Sequence, residues 1–192
     1  MPTSIRRMTT TDVDRAATVL GDAFADYPWT NWCVAADSHQ QRVTELQRLY
    51  LGHMALPHGL AYIDEEHNGV VAFIPPDLPD PEESLVAKIV ELHGDRFEHA
   101  AQAEQRLSAM DVPGNAWCLA TAGVSRAARG RGLGGDLLKV GLAELDRRNA
   151  ACWLDTSTHR NLPLYERHNF AVADHVVLDD GLEVWRMHRP AI

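Results

Sequence analysis

Gly123-Val124-Ser125-Arg126-Ala127-Ala128-Arg129-Gly130-Arg131-Gly132-Leu133-Gly134-Gly135 joins two segments of different periodicity. Before the turn, Ala116 to Val124 alternates Trp117, Leu119 and Thr121 with Cys118, Ala120 and Ala122, the period of a strand. After it, Leu133, Leu137, Leu138, Gly141, Leu142 and Leu145 fall on one stripe of a helix running from about Gly132 to Arg148. Ala151 to Thr156 again reads as strand. Strand, helix, strand within residues 116–156 predicts a right-handed parallel crossover. The glycine-rich turn then sits between a buried strand and an amphipathic helix.

The first amides of a helix have no intrahelical partner and point out ahead of it. Glycines let the backbone approach a ligand closely, so an anion is the natural occupant of that space. Arg126, Arg129 and Arg131 add three positive charges before the first acid, Asp136. The whole chain sets 18 Lys and Arg against 27 Asp and Glu, a net charge of −9, so the turn reverses the local sign. That overall balance argues against a sequence-independent nucleic-acid binder. The turn is no P-loop, because no Lys-Ser or Lys-Thr follows a glycine. Nor is it the dinucleotide fingerprint, since Gly130, Gly132 and Gly134 lack the G-x-G-x-x-G spacing.

Outward from the turn, the 192 residues carry 45% apolar side chains and no internal repeat, which predicts one domain spanning 1–192. Ile5 to Met8 reads as a short strand, and a helix follows from Thr11-Asp12 to about Phe24, broken at Asp26-Tyr27-Pro28-Trp29. A second helix covers about Ser38 to Leu56. A hairpin of 60–64 and 70–74 turns at Asn68-Gly69, whose residues tolerate the positive φ a tight turn needs. Residues 82–92 and 95–110 read as helices with solvated acidic faces, and 161–168 as a short helix. Strands at 170–178 and 183–189 flank Asp179-Asp180-Gly181. The class is mixed α/β.

Cys33, Cys118 and Cys152 form no C-x-x-C pair, and the ten histidines make no H-E-x-x-H, so buried thiols in a reducing cytoplasm and no metal are expected. No apolar run approaches the roughly 20 residues that span a bilayer. The first twenty residues, with Asp12 and Asp14, show no secretory signal, so neither membrane nor export is expected.

Val124 with Arg129-Gly130-Arg131-Gly132-Leu133-Gly134 resembles the acyl-CoA loop of the GNAT superfamily of N-acetyltransferases. Asn161-Leu162-Pro163-Leu164-Tyr165-Glu166-Arg167-His168-Asn169-Phe170 is similar to that family's Asn-x-x-x-x-Tyr-Glu-x-x-Gly-Phe segment, in the right order and with one strand between. Within the superfamily the chain most resembles the puromycin-acetylating members, through Ala23–Pro28, Arg42–Gln47, Leu119–Thr121 and Arg160–Pro163; residues 57–113 match poorly.

The resemblance implies a central, mostly antiparallel sheet of about six to seven strands with helices on both faces. In it two parallel strands, here 116–124 and 151–156, splay apart around the pantetheine arm of acetyl-CoA. Ala122, Gly123 and Val124 would face the pantetheine, and the amides of Arg129, Gly130, Arg131, Gly132, Leu133, Gly134 and Gly135 would take the pyrophosphate. Tyr165 matches the general acid, and Asn161 an N-cap that also touches the cofactor. Asn169 replaces a glycine in a position that usually needs a left-handed backbone, where Asn is the best substitute. Asp155, near the end of its strand, is the proposed base, with water as the other route. Tyr27, Trp29, Trp32 and Trp185 are placed in the acceptor wall.

The reaction implied is direct acetyl transfer to a primary amine of a small molecule, by a monomer or homodimer, with a puromycin-like aminonucleoside antibiotic as first acceptor. A G-x-S-x-G elbow is absent and spacing gives no Cys–His pair, so no covalent enzyme intermediate is expected. Another small amine, an amino-acid α-amine, a non-catalytic acyl-CoA-binding module and a nucleotide-binding scaffold stand as alternatives.

Overall fold

The computed structural model describes residues 4–192. Among them, β1 (Ile5–Arg7), β2 (Leu60–Asp64), β3 (Gly69–Ile74), β4 (Trp117–Val124), β5 (Cys152–Thr156), β6 (Ala171–Val177) and β7 (Glu183–Arg189) form one sheet. Its order is β1-β2-β3-β4-β5-β7-β6. Only β4 and β5 run parallel; every other neighbouring pair is antiparallel. The mixed sheet and its one parallel pair agree with the sequence reading.

The helices are α1 (Val13–Phe24), α2 (Pro28–Cys33), α3 (His39–Tyr50), α4 (Leu56–His58), α5 (Glu83–His93), α6 (Phe97–Leu107), α7 (Leu133–Arg147) and α8 (Leu162–Glu166). They cover both faces of the sheet. Leu60, Tyr62, Val71 and Phe73 pack against Leu137, Leu138 and Leu142 of α7. Their alternating neighbours Ala61, Ile63, Val70 and Ala72 pack against Ala16, Val19 and Leu20 of α1. Burial on two sides is why β3 reads as an unbroken apolar run. Gly141 of α7 lies directly over Phe73, where a Cβ would overlap the ring, so the missing side chain brings helix and sheet together.

Three local expectations change. The positive φ of the first hairpin belongs to His67 (56°), and Gly69 is already part of β3. Asp64 is the cause: its buried carboxylate accepts the amides of Asn68 at 2.7 Å and Gly69 at 2.6 Å, closing a longer turn. The helix expected over 38–56 is regular only to Tyr50; Leu51–Ala55 widens into π-helical turns before α4. The break at Pro28 is real but short, because proline suits the first turn of a new helix, α2. Asn169 does take the left-handed backbone expected of it, at φ 66°.

Candidate active site

Strands β4 and β5 pair only at Trp117↔Cys152 and Cys118↔Trp153. Beyond that point β4 stays bonded to β3 as far as Val124, and β5 to β7 as far as Thr156. The facing edges from Leu119 and Leu154 onward therefore carry backbone donors and acceptors with no strand partner. The gap widens toward the carboxyl ends into a cleft of about 550 Å³ whose lining includes Ala122, Gly123, Val124, Arg126, Arg129 and Gly134.

Ahead of α7 the backbone is shaped by two left-handed glycines, Gly130 (φ 79°) and Gly132 (φ 84°). The Cβ positions of both face open space, so conformation rather than crowding calls for glycine. Asp136 is the first amide of α7 to find a carbonyl, that of Gly132 at 3.1 Å. The amides of Leu133, Gly134 and Gly135 thus lead out of the helix, while the Leu133 side chain is buried in the core and anchors the loop. Arg129 is tied back to α1, donating to the Ala23 carbonyl at 2.8 Å. Arg126 is held there too: its amide donates to Asp22 at 2.7 Å and its guanidinium pairs with Asp26 at 2.8 Å. That pairing uses in structure the charge the sequence offered to a phosphate. Open helix amides bordered by Arg129 and Arg160 suit a diphosphate.

A second cleft of about 450 Å³ opens on the same gap, walled by Trp29 of α2, Tyr50 of α3, the π-helical turns and Trp153 of β5. Phe24, Tyr27, Ala122, Asn161 and Tyr165 line both clefts and mark where they meet. Tyr165 is buried and packs edge-on against Phe170 at 6.0 Å between ring centres. Burial pushes its phenol well above the ordinary range, so it stays protonated and available as a donor. The Tyr27 hydroxyl accepts the Ser157 amide at 2.9 Å and lies 2.9 Å from Thr156 Oγ1. Asn161 occupies the N-cap position of α8 without a capping bond; its Nδ2 instead donates to Thr156 Oγ1 at 3.2 Å. These bonds latch the end of β5 to α1–α2 and α8.

Asp155 lines the second cleft, and both its oxygens accept from Arg186, at 2.8 and 2.7 Å. Of the four aromatic residues expected in the acceptor wall, Tyr27 and Trp29 line this second cleft. Trp32 packs instead on Trp29 and His99 of α6. Trp185 stacks on His175 at 4.9 Å and touches His159 edge-on, and lines neither cleft. Strand alternation puts its side chain with β6 and the α8 approach, which a sequence without a register could not show. Arg160 and Thr158, on the first cleft, and Glu104 and Leu107 of α6, on the second, were not foreseen. Arg160 had a signal in its place beside Asn161. Glu104 had none, because residues 82–110 resembled little and their acids read as a solvated face.

Among the described residues no three metal-ligating side chains come together, and no helix is long and apolar enough to cross a membrane. With this geometry in hand, the chain belongs to the acetyltransferase (GNAT) family, whose model matches residues 23–170. It is an N-acetyltransferase, in a family that draws acetyl groups from acetyl-CoA. Solved structures share the fold. A histone acetyltransferase HPA2 and related acetyltransferase from Corynebacterium glutamicum is 25% identical at TM-score 0.76, over 100% of this chain and 98% of that one. The ribosomal-protein alanine N-acetyltransferase of Escherichia coli is 16% identical at TM-score 0.57, over 98% and 94%. The NatC complex bound to Gag peptide and CoA matches at 12% identity and TM-score 0.56, over 100% of both chains.

Proposed function

We propose that the chain transfers the acetyl group of acetyl-CoA directly to a primary amine of a small molecule. One observation carries this reading: a buried, protonated phenol, Tyr165, stands where an arginine-bordered cleft meets an aromatic one. Acetyl-CoA, when bound, supplies a thioester. The amides of Leu133, Gly134 and Gly135, and those of the preceding loop from Arg129, Gly130, Arg131 and Gly132, would hold its diphosphate. The open edge of β4 at Ala122, Gly123 and Val124 would pair with its amide-bearing arm and polarise the thioester carbonyl. Tyr165 donates its proton to the departing sulfur, whose ordinary pKa near 8.5 makes it a better leaving group once protonated. Asn161 keeps α8, and with it Tyr165, fixed against β5. The ammonium of the acceptor must lose a proton before attack, and Asp155, the carboxylate on the β5 wall, takes it directly or through water.

A puromycin-like aminonucleoside antibiotic is the first acceptor to try, and antibiotic resistance the role that would follow. The support is the resemblance at Ala23–Pro28, Arg42–Gln47 and Arg160–Pro163, together with planar walls at Trp29 and Tyr50 that suit stacking. A thiol-release assay with acetyl-CoA against a panel of amines, puromycin included, tests the reading. Release with at least one amine is expected; none with any, from protein that binds CoA, would overturn it.

A further inference from the structure

The two clefts carry opposite charge. Arg126, Arg129 and Arg160 line the first, against the single acid Asp26. The second is lined by two carboxylates, Asp155 and Glu104, and by no lysine, arginine or histidine. Asp155 is matched by Arg186. Glu104, among the described residues, makes neither ion pair nor side-chain hydrogen bond, so its charge sets the sign of the acceptor cleft.

Its place is fixed by the fold. Glu104 lies one turn before Leu107 on α6, and Leu107 is buried in the same wall. The carbonyls of Leu107 and Met110 are held by Arg186 Nη1 at 2.9 and 3.0 Å, so the end of α6 is anchored to β7. Glu104 shares the cleft wall with Tyr50 and Cys118, and Cys118 lies at the end where β4 and β5 still pair. Tyr165 and Ala122 line the opposite end, where the strands have parted. Cys118 and Ala122 are four residues apart on one strand, about 13 Å at roughly 3.3 Å per residue. Between those ends the walls are mostly apolar and aromatic, with Gln47, Thr121 and Asp155 among them.

We propose that the acceptor carries a second cationic group, and that Glu104 receives it at the end of the cleft remote from Tyr165. Rested on the acetyl-transfer reading of this site, the inference favours amines with two positive groups joined by an apolar or planar stem and ranks the singly charged aminonucleosides below them. It excludes acceptors whose far group is a carboxylate, which would meet Glu104 with no cation to balance it. Glu104 is exposed, so salt screens its attraction and the discrimination expected is about tenfold.

The test uses diaminooctane, octylamine and aminooctanoic acid with the CoA-loaded protein. Binding is read by quenching of the cleft tryptophans, and transfer, separately, by thiol release with acetyl-CoA. Diaminooctane is expected to bind about tenfold more tightly than octylamine, and aminooctanoic acid more weakly than either. Glu104→Gln should erase the preference, and Glu104→Lys should reverse it toward the acid, with affinity for CoA unchanged in both. Equal binding of the three amines, or a preference that survives both substitutions, overturns the inference even if thiol is released. Glu104-dependent binding with no release from any amine would leave the inference standing and remove the transfer reading instead.

Discussion

Arg186 grips Asp155 through two bonds, Nε to Oδ1 at 2.8 Å and Nη2 to Oδ2 at 2.7 Å. The same guanidinium, only 3% exposed, lies 4.5 Å from the centre of the Trp153 ring and holds the carbonyls that end α6. One buried cation therefore joins β5, β7 and the segment after α6 beside the second cleft. A carboxylate in that position has a structural reason to exist as well as a chemical one, and the two roles separate experimentally.

Asp155→Asn leaves the guanidinium buried without its counter-charge, which typically costs about 3–5 kcal/mol. Turnover should fall, but lost stability alone could cause that. The double variant Asp155→Leu, Arg186→Met removes both charges and should recover part of the stability, the Leu107 and Met110 carbonyls losing their donor, as read by urea titration. If Asp155 takes the amine proton, the recovered protein still turns over about 100-fold more slowly than the parent. Turnover that returns with stability would reduce Asp155 to a strut.

Tyr165→Phe keeps the ring against Phe170 and deletes only the hydroxyl. The expected outcome is a kcat lower by about 100-fold or more, the size of a general-acid contribution, with CoA affinity within about twofold. Because burial raises the phenol, the parent should show no loss of kcat attributable to Tyr165 as pH climbs toward about 10. An unchanged kcat in the variant would place the proton donor elsewhere.

Gly132→Asp puts a side chain on a residue with φ 84° and a negative charge in front of the open amides of α7. CoA should fail to protect this variant against thermal unfolding, where saturating CoA protects the parent. Gly132→Asn, which tolerates the left-handed backbone and adds no charge, should retain part of that protection. Full protection of the Asp variant would mean that the diphosphate sits away from this helix.

Legibility in the sequence followed how local each cause was. The glycines before Leu133, the stripe of α7 and the left-handed Asn169 are set by residues a few positions apart, and all were readable. The splay of β4 from β5 was expected only through the family resemblance, since register depends on which strands meet across the sheet. The turn at His67 was misplaced because a short-range rule for Asn-Gly lost to a carboxylate at Asp64 reaching four and five residues ahead. The surroundings of Trp185 and Glu104 were out of reach for the same reason on a larger scale. Trp185 faces His175 through the β6–β7 pairing, and α6 reaches the cleft through a contact between Arg186 and residues 76 and 79 positions earlier.

Asp12, which lines neither cleft, accepts Arg6 Nη1 and Nη2 at 2.8 and 2.7 Å, and the amide and hydroxyl of Thr9 at 2.8 and 2.9 Å. The Arg6 bonds, then those from Thr9, hold this carboxyl well below the usual carboxylate range, against the opposing effect of burial. A group whose folded pKa lies below its unfolded value of about 3.9 stabilises the fold above that value and loses the contribution as pH falls below it. Arg6 is 38% exposed, so solvent screening keeps the contribution small. Asp12→Asn should therefore unfold at lower urea than the parent at neutral pH, and the two midpoints should converge as pH drops below about 4. A gap that keeps its size through that range would show that Asp12 acts by shape alone, as the link between β1 and the first turn of α1, with its charge making no difference.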